Sequence, residues 1–114
     1  MNKVILVGRL TAKPELSSKD KLLYTRFSVA INRSYKNADG TRDVDFINVI
    51  AWGKNAENIC TYLEKGSLIS LVGSIMTGSY EKDGNKHYTF DVNLESFEFL
   101  ENKKEAPKDE PATI

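Results

Sequence analysis

An alternating segment near the middle of the chain, residues 44–54, has residue types and spacing suited to binding a flat ligand. It reads VDFINVIAWGK, and successive side chains of an extended strand point to opposite faces. One face would be apolar, and the other would carry two large aromatic rings with an amide between them. The apolar set is Ile47, Val49 and Ala51, and the aromatic set is Phe46, Asn48, Ile50 and Trp52. Aromatic rings on an open sheet face, with Lys54 at the strand end, suit the stacking of unpaired nucleic acid bases.

The same alternation also fits a strand that is buried on both faces. Phe46 and Trp52 would then lie in a hydrophobic core. An antiparallel strand with one wet face commonly carries Thr, Lys or Glu at its outward positions, and this segment does not. The strand pattern alone therefore leaves two interpretations open, a stacking surface or a second layer of core.

Composition describes one globular domain with no excess of charge. The chain has 114 residues, of which 40% are hydrophobic and 28% charged, and its 16 basic and 16 acidic residues give a net charge of zero. Duplex binding depends on a broad positive surface that neutralises phosphates, so this balance argues against it. A binder of single strands remains compatible, because stacking supplies part of its binding energy.

The residues that most often catalyse reactions or hold metals are scarce. Cys60 and His87 are the only cysteine and histidine, which excludes an intramolecular disulfide and a Cys/His zinc site. Cys60 falls on an apolar helical stripe and is expected to pack as a small hydrophobe. Asp43 and Asp45 are more simply explained as charges flanking a hairpin than as a metal pair. We expect no catalytic site, no metal and no cofactor.

No membrane or export segment is recognisable. The apolar run at residues 4–7 is too short for a signal peptide, and no stretch approaches the ~20 apolar residues of a membrane span. We expect a cytoplasmic, nucleoid-associated protein with no membrane partner.

Periodicity predicts five strands and one helix in the order β-β-β-α-β-β. The strands are expected at residues 3–10, 22–33, 44–54, 67–77 and 87–95, and residues 11–21 as a loop. Apolar residues at helical spacing, with Asn55 as N-cap and Gly66 as the stop, predict the helix. The helical stripe is Ala56, Ile59, Cys60 and Leu63. Asp-Gly pairs at 39–40 and 83–84 predict turns.

Interior glycines and a change of parity add detail to this order. Gly8 and Gly73 indicate bulges or close backbone approaches, and the alternation reverses after Ser96, which indicates a bulge. The whole pattern predicts an all-β fold, the five-stranded Greek-key barrel called the OB-fold, with one short helix between strands three and four. The domain would span residues 1–100, followed by a short disordered charged tail at 101–114.

Four collinear blocks resemble the bacterial and phage single-stranded DNA-binding proteins. The blocks are NKVILVGRL (2–10) followed by PE (14–15), FSVAINR (27–33), DFINV with AWGK and AE (45–57), and KGS with VG (65–73). The resemblance covers residues 1–100 and implies an OB-fold homotetramer that wraps single-stranded DNA during replication, recombination or repair. It also implies base stacking on four aromatic residues, without strong sequence preference. These residues are Tyr35, Phe46, Trp52 and Tyr80.

Basic residues near these rings are candidates for phosphate contacts, although solvated charges are an equally simple interpretation of each. They are Arg9, Arg26, Arg33, Lys36, Lys54 and Lys86. Many family members carry arginines where this chain has MTGS (76–79), which implies a lower affinity or a shallower salt dependence. Many also end in a long linker with an acidic tip that docks replication and repair enzymes. This chain ends in DEPATI (109–114) without such a tip, so whether its tail recruits replication or recombination proteins stays open. An accessory, plasmid or phage paralogue is an alternative.

Two other functions remain open from the sequence. One is an interaction adaptor, an OB-fold dimer that binds replication proteins. The other is an RNA-binding OB domain, which would add a contact to the 2′-hydroxyl. For self-association, the edge of the first strand with Val4 and Leu6 could pair with its copy. Ile50 and Met76, if exposed, would help dimers pair, though each would equally suit a core.

Overall fold

The computed structural model describes residues 1–100, and within them one sheet of six strands is accompanied by one helix. The predicted tail at 101–114 lies outside the described residues. In chain order the elements are β1 Val4–Leu10, β2 Ser17–Lys19, β3 Leu22–Asn32, β4 Val44–Trp52, α1 Gly53–Tyr62, β5 Leu68–Lys82 and β6 Asn85–Phe99. The helix lies between the third and fourth long strands, as predicted.

The five long strands close into a ring. Their order is β1-β5-β6-β4-β3, and the pairing of β1 with β3 joins the two ends. All neighbours are antiparallel except β4 and β6, which run parallel where Val49 meets Val92 and Ile50 meets Asn93. This connectivity confirms the predicted five-stranded OB-fold.

A sixth strand, β2, corrects the expectation of a plain loop at residues 11–21. It forms a hairpin with the start of β3, pairing Ser17 with Tyr24 and Lys19 with Leu22. The connecting residues Asp20 and Lys21 have φ angles of 53° and 66°, as a two-residue turn of type I′ requires. Neither is a glycine, so the sequence lacks the Asn-Gly or Asp-Gly pair that marks such a turn most clearly.

The hydrophobic core fills the ring and is closed at one end by α1. Fully buried side chains from the five long strands meet Ala56, Ile59 and Leu63 of the helix. The strand residues with least exposure include Leu10, Val29, Val49, Ala51, Ile69, Leu71 and Val92. Full burial of each large aliphatic side chain contributes about 1.5–3 kcal/mol. The predicted helical stripe is confirmed, with Cys60 at its half-buried margin.

The predicted ends of the helix are wrong in detail. It begins at Gly53 with no side-chain cap. Asn55 lies inside the first turn, where its amide donates to the carbonyl of Glu95 at 3.3 Å. The helix ends at Tyr62, and Gly66 lies beyond it in a turn with φ of 89°.

The glycines and the change of parity have the expected structural consequences. A Cβ atom on Gly8 would lie 2.7 Å from the carbonyl oxygen of Ala30, and one on Gly73 would lie 2.7 Å from Val92 Cγ1. Both glycines therefore permit close strand contacts. The register between β5 and β6 shifts between Val72 and Gly73, opposite Glu95, which confirms the bulge.

The β5–β6 hairpin extends well beyond the core. Asp83 and Gly84 form its turn with φ of 55° and 79°, as the Asp-Gly pair predicted. The apolar alternation of β6 continues along the strand, but burial stops at Val92, and the hairpin is exposed from residue 76 to residue 90. Tyr88 and Phe90 therefore lie outside the core.

Candidate nucleic-acid interface

Both aromatic rings of β4 are exposed. Phe46 is 65% exposed and Trp52 36%, whereas Val49 and Ala51 on the opposite face are buried. The alternation is thus that of a half-open strand, which excludes the interpretation of Phe46 and Trp52 as core residues of this chain.

Ile50 shares the face of those rings and yet is only 2% exposed, so it is not the exposed contact residue considered from the sequence. Arg26 on β3 and Asp91 on β6 lie on the two strands that flank β4, and Arg26 Nη1 lies 3.5 Å from Asp91 Oδ2. This ion pair reaches across β4, where Ile50 lies between Arg26 and Asn93 in register. We attribute the burial of Ile50 to this bridge.

The register also shows that Tyr80 belongs to the same face. Ile50 lies beside Asn93 on β6, and alternate residues of β6 share that face as far as His87. His87 pairs directly with Tyr80 on β5, and paired residues of an antiparallel sheet point the same way. We call this surface the outer face. It includes Arg9, Tyr24, Arg26, Phe46, Asn48, Trp52, Tyr80, His87 and Asp91.

Two further rings support the predicted ones and were missed from the sequence. The Tyr24 ring lies 5.4 Å from that of Trp52, tilted by 39°. The His87 ring stacks on Tyr80 at 5.1 Å with 20° between the planes. Pairing of β3 with β4 would have revealed Tyr24, since it lies opposite Trp52 in register. His87 is exposed, but its ring contact with Tyr80 means that it is not an isolated side chain.

A cleft lies where β4 and β6 splay apart before their short parallel pairing. Its volume is about 490 Å³, and Phe46 and Asn48 line it from β4 while Tyr88, Phe90 and Asp91 line it from β6. Ligand sites commonly have about 300–1,000 Å³. The cleft places aromatic walls and polar groups together at the edge of the outer face, and Tyr88 and Phe90 are contributions that the sequence did not indicate.

Tyr35 and Lys36 lie in the connection between β3 and β4, and both are exposed. The Tyr35 hydroxyl accepts a hydrogen bond from Arg33 Nη1 at 3.0 Å. Arg33 also donates to both carboxylate oxygens of Asp45, at 2.9 and 3.0 Å. These bonds raise the pKa of Arg33 and lower the pKa of Asp45 below its usual value.

The remaining predicted phosphate partners are spread over the surface. Arg9 pairs with Ala30, which in turn pairs with Phe46, so the three lie in one row across the outer face. Arg9 Nη1 also donates to the carbonyl of Gly66 at 2.9 Å. Lys54 lies at the start of α1, with Nζ 3.6 Å from Glu57 Oε1.

Lys86 lies on the other face of the hairpin, where its Nζ is 5.7 Å from the centre of the Tyr88 ring. The six candidates therefore do not form one continuous positive patch. Three of them, Arg26, Arg33 and Lys54, are already paired with carboxylates.

Other kinds of site find no support in the described part of the chain. Within residues 1–100 no three Asp, Glu, His or Cys side chains converge as metal ligands. Over the same residues, no helix is long and apolar enough to cross a membrane.

Comparison with known proteins assigns this chain to a class. The model of the single-strand binding protein family matches residues 1–100. The chain is 51% identical over 104 residues to a single-stranded DNA-binding protein 2 of Streptococcus agalactiae serotype V, covering 90% of this chain and 79% of that one. It is 40% identical over 109 residues to a single-stranded DNA-binding protein 1 of Clostridium acetobutylicum, covering 93% and 99%. This chain belongs to the single-strand binding protein family, whose members are DNA-binding proteins and not enzymes.

Proposed function

We propose that this protein binds single-stranded DNA along the outer face, without strong sequence preference, and protects it during replication, recombination or repair. The observation that carries the proposal is that Phe46, Trp52 and Tyr80, from two different strands, are exposed on one continuous face. Duplex DNA hides the faces of its bases, so this surface would bind it poorly.

Stacking supplies the base contacts in this proposal. Each base stacked on an aromatic side chain contributes about 1–3 kcal/mol, a range established for this class of proteins and adopted here. Tyr24 and His87 hold the rings of Trp52 and Tyr80 from one side, which leaves the opposite side of each ring for a base. The cleft beside Phe46 would receive a further base between β4 and β6.

Phosphate contacts supply the second part of the binding energy. Arg9 lies in the same row as Phe46, and Lys36 lies next to Tyr35, so both are placed to follow the backbone between stacked bases. The Arg26 side chain is 60% exposed, and its ion pair with Asp91 is long, at 3.5 Å. A phosphate could therefore compete with Asp91 for Arg26. With few unpaired cations on the outer face, we expect a shallow salt dependence.

Wrapping of DNA would require several copies of the chain, and we propose a homotetramer. β1 pairs with β5 along its length but with β3 only through Arg9 and Leu10. The edge at residues 4–7 is therefore open, with Ile5 and Val7 exposed, while Leu6 packs on the core. Pairing of two such edges is the simplest first step of assembly. Light scattering of the purified protein would give the mass.

The cellular setting follows from the same proposal. Residues 1–100 would be the DNA-binding domain of a cytoplasmic, nucleoid-associated protein. Proteins of replication or recombination would be its partners on the same DNA.

A competition experiment tests the proposal. Fluorescently labelled oligo-dT is titrated with the protein at low and high salt, and unlabelled oligo-dT, oligo-rU and a duplex of equal length compete for it. We expect oligo-dT to compete best and the duplex worst. Equal competition by oligo-rU would favour an RNA-binding domain, and no binding of any strand at low salt would favour a protein-binding adaptor.

A further inference from the structure

In the connection between β3 and β4, residues 33–43, the proposed stacking residue Tyr35 contacts Arg33, which the sequence predicted as a phosphate partner. Three N–H groups of Arg33 are occupied. Nε and Nη2 donate to the two carboxylate oxygens of Asp45 at 3.0 and 2.9 Å. Nη1 donates to the hydroxyl of Tyr35 at 3.0 Å. Arg33 thus joins the ring to the start of β4, one residue before Phe46.

The backbone around Arg33 is held as well. Its N–H donates to the carbonyl of Asp43 at 3.0 Å. Arg42 Nη1 donates to the carbonyls of Arg33 and Ser34 at 3.3 and 3.4 Å. Arg33, which donates to the Tyr35 hydroxyl, is therefore held by hydrogen bonds of both its backbone and its side chain.

The charge of Arg33 is compensated before any ligand arrives. Asp45 forms a two-point pair with it, and Asp43 Oδ2 lies 3.8 Å from Nη1. Two carboxylates thus face Arg33, and with Lys36 and Arg42 in the same connection the charges of this segment are compensated within it. A phosphate would have to displace a carboxylate of ideal geometry, and an arginine that is already paired releases few counterions when DNA binds.

We propose that Arg33 does not contact phosphate but is a positioning residue, which holds the Tyr35 ring in place to receive a base. Tyr35 remains 56% exposed while its hydroxyl is bonded, so the ring faces stay open. A ring fixed in advance loses less side-chain entropy when a base stacks on it. The inference rests on the proposed function, because it assigns Tyr35 a stacked base.

A double-mutant cycle separates positioning from phosphate contact. Oligo-dT affinity is measured against salt for the wild type, Arg33→Gln, Tyr35→Ala and the double variant. We expect Arg33→Gln to weaken binding about fivefold with no change in the slope of log K against log salt. In the Tyr35→Ala background the same substitution should cost nothing further, since the ring that it positions is absent.

Arg33→Lys is the conservative companion, because it keeps the charge but cannot reproduce the two-point pair together with the tyrosine bond. We expect it to weaken binding about as much as Arg33→Gln. Lys36→Gln is the matched control for a phosphate contact. The loss of affinity that Lys36→Gln causes should add to the loss that Tyr35→Ala causes. The slope of log K against log salt should fall by about 1 for Lys36→Gln.

Three results would overturn the proposal. The first is a fall of about 1 in the salt slope for Arg33→Gln. The second is an equal loss of affinity on Arg33→Gln substitution in the wild-type and the Tyr35→Ala backgrounds. The third is wild-type affinity for Tyr35→Ala. Failure of the proposed function would look different, because the wild type itself would then fail to bind oligo-dT. Thermal unfolding of each variant verifies that the fold is retained.

Discussion

The outer face has two regions that carry similar aromatic rings on strands that differ in how they are packed. Phe46 and Trp52 lie on β4, whose reverse side carries the buried residues Val49 and Ala51 of the core. Tyr80 and His87 lie on the part of the β5–β6 hairpin that extends past the core and is exposed on both faces. The β4 rings are therefore supported by packing, and the hairpin rings mainly by strand pairing and by each other.

The support beneath each ring predicts which rings contribute most to binding. A ring held by a packed strand is presented in one position, whereas a ring on a projecting hairpin must be ordered by the ligand, at an entropic cost. We expect the β4 rings to contribute more per base than the hairpin rings, although the residue types are alike.

The largest effect is expected at Phe46. Phe46→Ala removes a supported ring and one wall of the cleft, and it should weaken oligo-dT binding by about 10- to 100-fold. Fluorescence anisotropy of labelled oligo-dT measures the loss. Tyr62→Ala is the matched control, because Tyr62 is an exposed aromatic residue on α1 whose ring lies against Phe99 and not against a proposed stacking residue. It should bind as the wild type does, and an equal loss in both variants would contradict the account.

A smaller effect is expected on the hairpin. Tyr80→Ala should weaken binding about five- to tenfold. His87→Ala should weaken it less, and the double variant should resemble Tyr80→Ala, since His87 acts by supporting the Tyr80 ring. Losses that simply add would show that His87 contacts DNA independently of Tyr80. A loss at Tyr80 larger than that at Phe46 would reverse the ranking of the two regions.

A gain of affinity is expected at the bridge across β4. Asp91→Asn removes the carboxylate that faces Arg26, which frees the guanidinium for a phosphate. Binding should tighten about two- to threefold at low salt, with a slope steeper by about 1. Glu98→Gln makes the same change of charge at the far end of β6 and serves as the control. Unchanged affinity for Asp91→Asn would mean that Arg26 takes no part.

The smallest effect is a dependence on pH near Tyr35. The bonds from Arg33 hold the pKa of Asp45 below its usual value. The contribution of this pair to stability is therefore fully present above the unfolded pKa, about 3.9, and is lost as pH falls through the lower folded value. A carbon-detected NMR titration of the Asp45 carboxyl measures this pKa. Arg33→Gln should raise it toward the usual value, and an unchanged pKa would contradict the pairing.

Much of the fold was predictable because it depends on local patterns. The alternation in β4, the stripe of Ala56, Ile59 and Leu63, and the Asp83-Gly84 turn each express a single periodicity or a single turn type. The strand β2 was not predictable, since its turn places Asp20 and Lys21 at positive φ without a glycine.

The candidate site was predictable only in part, because its geometry depends on distant strands. We attribute the burial of Ile50 to an ion pair between β3 and β6, whose partners are 65 residues apart. The exposure of Tyr88 and Phe90 depends on how far the hairpin extends beyond the core, which alternation along β6 does not express. The pairing of Arg33 with Asp45 depends on how the chain folds back between β3 and β4, and it changes the proposed role of Arg33 from a phosphate partner to a positioning residue.

The most direct test of the central claim follows the fluorescence of Trp52, the only tryptophan, during titration with oligo-dT at low and high salt. Stacking of a base on its exposed side should quench the emission strongly, with oligo-dT far more effective than a duplex. The quenching should persist at a salt concentration that screens phosphate contacts. Tight binding of oligo-dT with unchanged Trp52 emission would contradict stacking on the outer face.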